Sequence, residues 1–210
     1  MNRLFTALAV AMLSFAALLP APAFAQAGNP DAVDLPPFFA ETFLNFPEDA
    51  ASAKKGGKRL LLYFGQDGCP YCKTLLETNF TQKAIVDKTK AKFVAVGLNI
   101  WGDRETVWFD GVTRKEKDLA KHLKVQFTPT ILLLDEKGAT IARINGYYPP
   151  HRFSAALDYS AQRLEGKTGF AEHMQAVPAT GARAALTDEP FFLKAAAGQP
   201  LDLRRKPGGK

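Results

Sequence analysis

The sequence predicts an α/β domain built on a mixed central sheet of four or five strands, with helices on both faces. Apolar runs typical of buried strands cover residues 60–65, 93–100, 130–134 and 140–144. A helical pattern follows each of the first two runs, and such βαβ connections predict two parallel strands. The last two runs are separated only by the turn residues 135–138, so they are predicted to close the sheet as an antiparallel hairpin.

Residues 1–25 are typical of a cleaved secretory signal peptide. A positive start at Arg3 precedes the apolar run Leu4–Leu19, and Ala23-Phe24-Ala25 supplies a small-x-small cleavage pattern. The run is shorter than the roughly 20 apolar residues of a membrane-spanning helix. We therefore expect a soluble, periplasmic mature protein. It would comprise a flexible lead-in at residues 26–37, one domain at 38–165, and a partly disordered C-terminal extension at 166–210.

The charge balance gives no reason to expect a nucleic-acid partner. The formal net charge of +6 falls to +5 when Arg3 is removed with the signal peptide, and most basic residues are scattered. The cluster Arg204-Arg205-Lys206 lies in a Pro/Gly-rich tail, where a solvated chain end is the simplest interpretation. We expect a monomer that needs no cofactor.

Helices are predicted between and around the strands, each from its local signals. Pro47 with the acidic residues after it starts the first helix, which Gly56-Gly57 ends. The remaining helices are expected at 73–80, from a Thr81 cap to Lys90, at 116–123 and at 151–164. A short helix at 187–197 is a further candidate.

An insertion at residues 101–114 follows the second strand. Asp110-Gly111 between two short β-like runs predicts a hairpin with a type I′ turn. One hypothesis is that this hairpin, with Trp101 and Trp108, borders the functional site and selects partners. The alternative is that both tryptophans cover the edge of the sheet.

Cys69 and Cys72 are the only cysteines of the chain, and they lie where the first strand gives way to a helix. Two cysteines at this spacing favour a redox pair. A zinc site would need four ligands, and neither a second C-x-x-C motif nor a nearby His completes one, so we predict no metal. The three histidines are scattered and are interpreted as surface or helix-end residues.

The spacing also predicts different roles for the two thiols. With Cys69 as helix cap and Pro70 at the first helical position, the Cys69 sulfur faces free backbone N–H groups, which stabilise a thiolate. Cys69 is therefore the predicted nucleophile. Cys72 lies one turn further on, shielded, and is predicted to resolve the mixed disulfide formed at Cys69.

Together with this pair, Thr128-Pro129-Thr130 before the third strand and Gly146 ahead of the last long helix make residues 58–164 resemble the thioredoxin family. The resemblance implies a thioredoxin-like fold and thiol–disulfide oxidoreductase activity on protein disulfides. It also implies that Pro129 is cis and faces the redox pair, and that the Thr128 backbone binds the substrate chain. Pro70, Tyr71 and Gly146 are the other expected substrate-binding residues.

Within the family, the export signal, residues 101–104 and the stretch 147–153 look most like the SoxW-type periplasmic thioredoxins. That likeness implies a reductase serving a sulfur-oxidation system, with a membrane thiol-transfer protein as electron donor. Other functions stay open: a disulfide oxidant or isomerase, a soft-metal carrier using both thiolates, or an adaptor without redox chemistry.

Two positions depart from the thioredoxin pattern. Tyr63 stands where thioredoxins have a buried acid that transfers protons, and Gly68 stands where they have a tryptophan. Proton transfer from Cys72 must therefore use water or another group, for which Glu77 and Lys73 are candidates. The direction of the redox reaction does not follow from the sequence.

Overall fold

The computed structural model describes residues 34–178. The predictions of a signal peptide, of most of the lead-in and of a helix at 187–197 concern residues outside this range. Within it, no helix is both long enough and apolar enough to cross a membrane.

Four strands form the central sheet in the order β2-β1-β5-β6, and a separate pair, β3 and β4, forms a small hairpin. β1 pairs with β2 in parallel, whereas β5 is antiparallel to both β1 and β6. The strands are β1 Arg59–Gly65, β2 Phe93–Asn99, β3 Glu105–Val107, β4 Thr113–Lys115, β5 Thr130–Leu134 and β6 Thr140–Asn145. The predicted mixed sheet is confirmed, with four strands.

Helices cover both faces of this sheet, as predicted. They are α1 Phe46–Lys55, α2 Pro70–Thr74, α3 Lys83–Lys92, α4 Glu116–His122, α5 Pro150–Ala161 and α6 Phe170–Gln175. A π-helical turn, Leu75–Asn79, continues α2, and a short 3₁₀ turn, Leu164–Gly166, follows α5.

The alternation of side chains along β1 explains the two layers of core. Leu61 and Tyr63 face the layer that contains the cysteines and α5, whereas Leu60, Leu62 and Phe64 face the layer that contains α1 and α4. Every residue of β1 is buried, as expected for a central strand covered on both faces.

Three predicted details of the helices are wrong. Gln82, rather than Thr81, precedes the first turn of α3, because the Thr81 hydroxyl donates back to the carbonyl of Glu77. The helix after the cysteine pair is not a regular α-helix to Phe80, since it passes through the π-helical turn. The last predicted helix ends at Ala161, where Arg163 adopts a left-handed conformation with φ of 56°.

The β3–β4 turn is also different from the prediction. A type I′ turn requires positive φ at both central residues, but of Asp110 and Gly111 only Gly111 has it, at 74°. The Gly111 N–H donates to the carbonyl of Trp108, and the Asp110 carboxylate accepts from the Val112 N–H. The connection is therefore a wider loop, from Trp108 to Val112.

An ionic network closes the end of the sheet where β1 begins. Arg59 is only 5% exposed, and its guanidinium donates to Glu136 (2.9 Å), to Glu165 (2.6 Å) and to the Ser160 carbonyl (2.8 Å). The hydrogen bond from Arg59 lowers the pKa of Glu136 to about 2. Arg163 also pairs with Glu136. This network joins β1, the β5–β6 turn and the chain after α5.

α6 lies in the part of the chain that the sequence patterns left unassigned. Phe170 and His173 pack their rings against Tyr159 of α5, at centroid distances of 5.2 and 5.4 Å. The Tyr159 hydroxyl donates to the carbonyl of Thr168. α6 therefore extends the buried layer around α5.

Candidate redox site

Four connections meet at one edge of the sheet. β1 and β2 are parallel, so their carboxyl ends lie together, and the antiparallel pairing of β5 brings its first residue beside Phe64 at the same edge. The Gly146 N–H donates to the Pro129 carbonyl (2.8 Å), which fixes the β6–α5 loop next to the loop before β5. The cysteine pair enters this edge from β1.

Cys69 is the N-cap of α2 and is joined to Cys72 as a disulfide, with 5.2 Å between the Cα atoms. The Cys72 N–H donates to the Cys69 sulfur (3.1 Å), so the sulfur closes the first turn of the helix. Pro70 follows at the first helical position, as predicted from the sequence. Gly68 has φ of 67°, a conformation that allows the sharp bend into the helix.

The two cysteine residues have unequal access to solvent. Cys72 is completely buried among the apolar residues of the layer around α5, whereas Cys69 is 5% exposed. Of the two cysteines, only Cys69 therefore has any exposed surface. The arrangement fits the predicted division into an attacking and a resolving thiol.

Thr128 adds a second donor to the Cys69 sulfur. Its hydroxyl donates to Sγ over 3.3 Å, although the chain separates the two residues by 59 positions. The peptide bond between Thr128 and Pro129 is cis. Of the expected substrate-binding residues, Thr128 is therefore in direct contact with the redox pair.

The other expected binding residues lie around this contact. Tyr71 is 65% exposed and projects from the first turn of α2. Gly146 has φ of 77° and is fixed to Pro129 by its backbone N–H. Phe127, which is not among the residues predicted from the sequence, is 64% exposed beside Thr128. In the sequence, its position directly before the Thr-Pro pair could have indicated that Phe127 lies at the site.

Tyr63, at the position of the missing acid, is buried in the same apolar layer as both cysteines. Burial raises the pKa of its phenol far above the ordinary value, so the side chain stays neutral. The hydroxyl lies against Gly65, where an added Cβ would come within 2.5 Å of it. Gly65 therefore makes room for the end of the phenol ring.

The two candidate proton-transfer groups are turned toward solvent. Lys73 and Glu77 are each 66% exposed and face one another across 3.8 Å on the outer side of the helix. Cys72 has no exposed surface. Neither group therefore has a described contact with the buried thiol, and water remains the simplest proton carrier.

The two tryptophans of the insertion lie in different environments. Trp108 is buried in the layer around α1, where it packs on Phe46, and the neighbouring Phe109 lies against Gly138 in the β5–β6 turn. The hairpin tip is therefore near the opposite edge of the sheet from the cysteines. Trp101 is 66% exposed, and its Nε1 donates to Gln66 (2.7 Å), three residues before Cys69. Only Trp101 borders the site.

No group of three or more His, Cys, Asp or Glu side chains that could hold a metal ion occurs within residues 34–178. In this part of the chain the cysteine pair has no third metal-ligating side chain beside it.

The fold and the cysteine site together define a known class of protein. The model of the Thioredoxin-like domain family matches residues 46–161, which is more than half of the chain. The protein therefore belongs to the thioredoxin-like domain family, whose fold is related to thiol–disulfide oxidoreductases.

Several solved structures are similar to the chain. A thioredoxin-fold protein from Helicobacter pylori is 28% identical, with a TM-score of 0.56 over 67% of this chain and 89% of that one. A thioredoxin from Thermus thermophilus is 25% identical, with a TM-score of 0.42 over 54% of this chain and 81% of that one. A DsbH oxidoreductase is 17% identical, with a TM-score of 0.45 over 65% and 95%. No curated protein sequence matches the chain.

The Thr128 contact leads to a prediction for the reduced protein. Thr128→Val is expected to raise the pKa of the Cys69 thiol, because a hydroxyl hydrogen bond stabilises the thiolate and not the thiol. A hydrogen bond to a charged group contributes about 1.5–3 kcal/mol, or roughly ten- to a hundredfold in the ratio of thiolate to thiol. Ultraviolet absorbance of the thiolate as a function of pH measures this ratio. Thr128→Ser keeps the hydroxyl and serves as the control; an equal change in both variants would contradict the assignment.

Proposed function

We propose that the protein is an exported thiol–disulfide oxidoreductase that reduces protein disulfides through a cycle of Cys69 and Cys72. The observation that carries the proposal is the Cys69 sulfur, which caps a helix, accepts a hydrogen bond from Thr128 and shields a fully buried second cysteine. Donors around a sulfur favour its thiolate, and the thiolate is the nucleophile of disulfide exchange.

The reaction starts from the dithiol form. The Cys69 thiolate attacks one sulfur of the substrate disulfide, forms a mixed disulfide and releases the other substrate sulfur as a thiolate. Cys72 then loses its proton to water and attacks the Cys69 sulfur, which releases the second substrate thiolate. The substrate gains two electrons, and Cys69–Cys72 becomes the disulfide described in the structure.

The setting of this activity is part of the same proposal. The signal-like residues 1–25 support a periplasmic location. The protein is proposed to act there as a monomer, and an external dithiol must reduce the pair after each turnover. A membrane thiol-transfer protein is the proposed donor, and a SoxW-type role in a sulfur-oxidation system is the proposed context. The substrate chain would lie across Thr128, Pro129 and Gly146, beside Pro70 and Tyr71.

The reduction potential of the pair tests the direction of the reaction. Equilibration with glutathione buffers is expected to give a value near that of thioredoxin, about −270 mV, as a reductase requires. A value near −120 mV would instead identify an oxidant. Titration of the dithiol form with Cu(I) and Zn(II) is the accompanying control, because tight binding would favour a soft-metal carrier.

A further inference from the structure

A cleft of about 130 Å³ lies at the carboxyl ends of β1 and β2, next to the cysteine site. Its walls include Gly65 and Gly97, which contribute no side chains, and Leu35 and the ring of Tyr63, which are apolar. Cavities of about 150 Å³ with apolar walls are large enough for benzene. This cleft is therefore the size of a single side chain, and smaller than a typical small-molecule pocket.

The polar side chains that line the cleft are those of Gln66, Asp67, Asn99 and Arg104. Gln66 and Asn99 both line it, and both accept hydrogen bonds from Trp101, at Nε1 (2.7 Å) and at the backbone N–H (2.9 Å) respectively. Nη2 of Arg104 donates to the Gly97 carbonyl and to Glu116. Because these atoms are already hydrogen-bonded within the chain, we take the apolar walls as the surface that a ligand side chain contacts.

Trp101 extends this apolar surface into solvent. Two hydrogen bonds hold the residue, so its indole is fixed although it is 66% exposed. Its only side-chain donor is occupied by Gln66, which leaves the faces of the ring for a partner. Because the ring is already held in place, Trp101 loses little conformational entropy when a chain binds against it.

The distance from the redox pair limits what can reach the cleft. Gln66 precedes Cys69 by three residues, and three residues span at most about 10 Å. A polypeptide bound through its cysteine at Cys69 can therefore place a side chain in the cleft when that side chain lies within about three residues of the cysteine.

We propose that this cleft and Trp101 form a side-chain subsite for an apolar residue located within three positions of the substrate cysteine. The subsite rests on the proposed function and defines its substrate class: extended or unfolded polypeptides with apolar residues next to a disulfide-bonded cysteine. Small disulfides that lack such a side chain do not use it.

Matched peptide disulfides test the subsite. Each peptide carries one cysteine in a mixed disulfide with 2-mercaptoethanol and either Phe or Gly at one of the three positions on either side. The wild-type dithiol form is expected to prefer the best Phe peptide over its Gly partner by about tenfold in kcat/KM, since partial burial of one aromatic side chain supplies this factor. Trp101→Ala should remove most of this preference by raising KM. Equal preference in wild type and Trp101→Ala would overturn the proposal.

Two controls separate the subsite from the redox function. Reduction of bis(2-hydroxyethyl) disulfide by the wild type measures the redox function without the subsite, and its absence there would overturn the proposed function instead. Trp108→Phe leaves Trp101 as the only tryptophan, so its fluorescence reports binding to the oxidised protein. A cysteine-free Phe peptide should change this emission and the Gly peptide should not; no response to the Phe peptide would contradict the subsite independently of any turnover.

Discussion

Cys69→Ser is expected to lower the rate of protein-disulfide reduction on the order of a thousandfold or more, because a hydroxyl does not replace a thiolate as the attacking group. Cys72→Ser should behave differently. Its Cys69 still attacks, but the fully buried position behind it can no longer resolve the intermediate. The variant should accumulate as a covalent complex with its substrate.

Non-reducing electrophoresis and mass spectrometry of the trapped species distinguish these outcomes. Dithiothreitol should reduce the mixed disulfide and so release the substrate from the Cys72→Ser complex. The double variant Cys69→Ser/Cys72→Ser should form no such complex. Val112→Ala provides a control, since this residue lies in the hairpin tip near the opposite edge of the sheet. Trapping by Cys69→Ser and none by Cys72→Ser would reverse the assigned roles.

Arg59→Ala is expected to reduce the free energy of unfolding by about 3 kcal/mol. Removal of one partner from a buried ionic network costs about 3–5 kcal/mol, and we expect the lower end because Glu136 and Glu165 keep 16% and 26% exposure. Lys83→Ala removes an exposed pair with Asp87 and should cost about 0.5 kcal/mol or less. Urea unfolding at neutral pH measures both, and similar losses in the two variants would contradict the structural role of Arg59.

The same network predicts how stability depends on pH. The pKa of Glu136 lies at about 2 in the folded protein, below its ordinary value of 4.5. Its contribution is therefore complete above pH 4.5 and declines as the pH falls from there toward 2. In Glu136→Gln this part of the acid dependence should be absent. An unchanged profile between pH 4.5 and pH 2 would show that the carboxylate does not contribute.

The sequence was sufficient to predict those elements whose pattern depends only on local burial. Thr130–Leu134 was predicted with its observed bounds, because a short apolar run between a proline and a turn is typical of a strand buried on both faces. The helix start at Cys69 and Pro70 likewise depends on neighbouring residues alone. These features define the sheet and the placement of the cysteine pair.

Features that depend on distant contacts were not predictable in this way. Asp110-Gly111 signals a tight turn, but Trp108 packs on Phe46 and Phe109 on Gly138, and this packing accompanies a wider loop. The two tryptophans of the insertion look alike in sequence, yet one is core and the other surface. The π-helical turn has no compositional signature. Its last residue, Asn79, donates to the Tyr148 carbonyl, a partner 69 residues away.

The Cys69 sulfur is both the proposed reactive atom and the group that accepts a hydrogen bond from the Cys72 N–H at the start of α2. Chemistry and helix initiation therefore share one atom, and the choice of replacement at this position affects both. Serine retains an oxygen acceptor, whereas alanine removes it at a cost of about 0.5–2 kcal/mol. An inactive form intended for binding or crystallographic work should thus carry serine, since alanine would confound a loss of reactivity with fraying of the segment that presents the substrate surface.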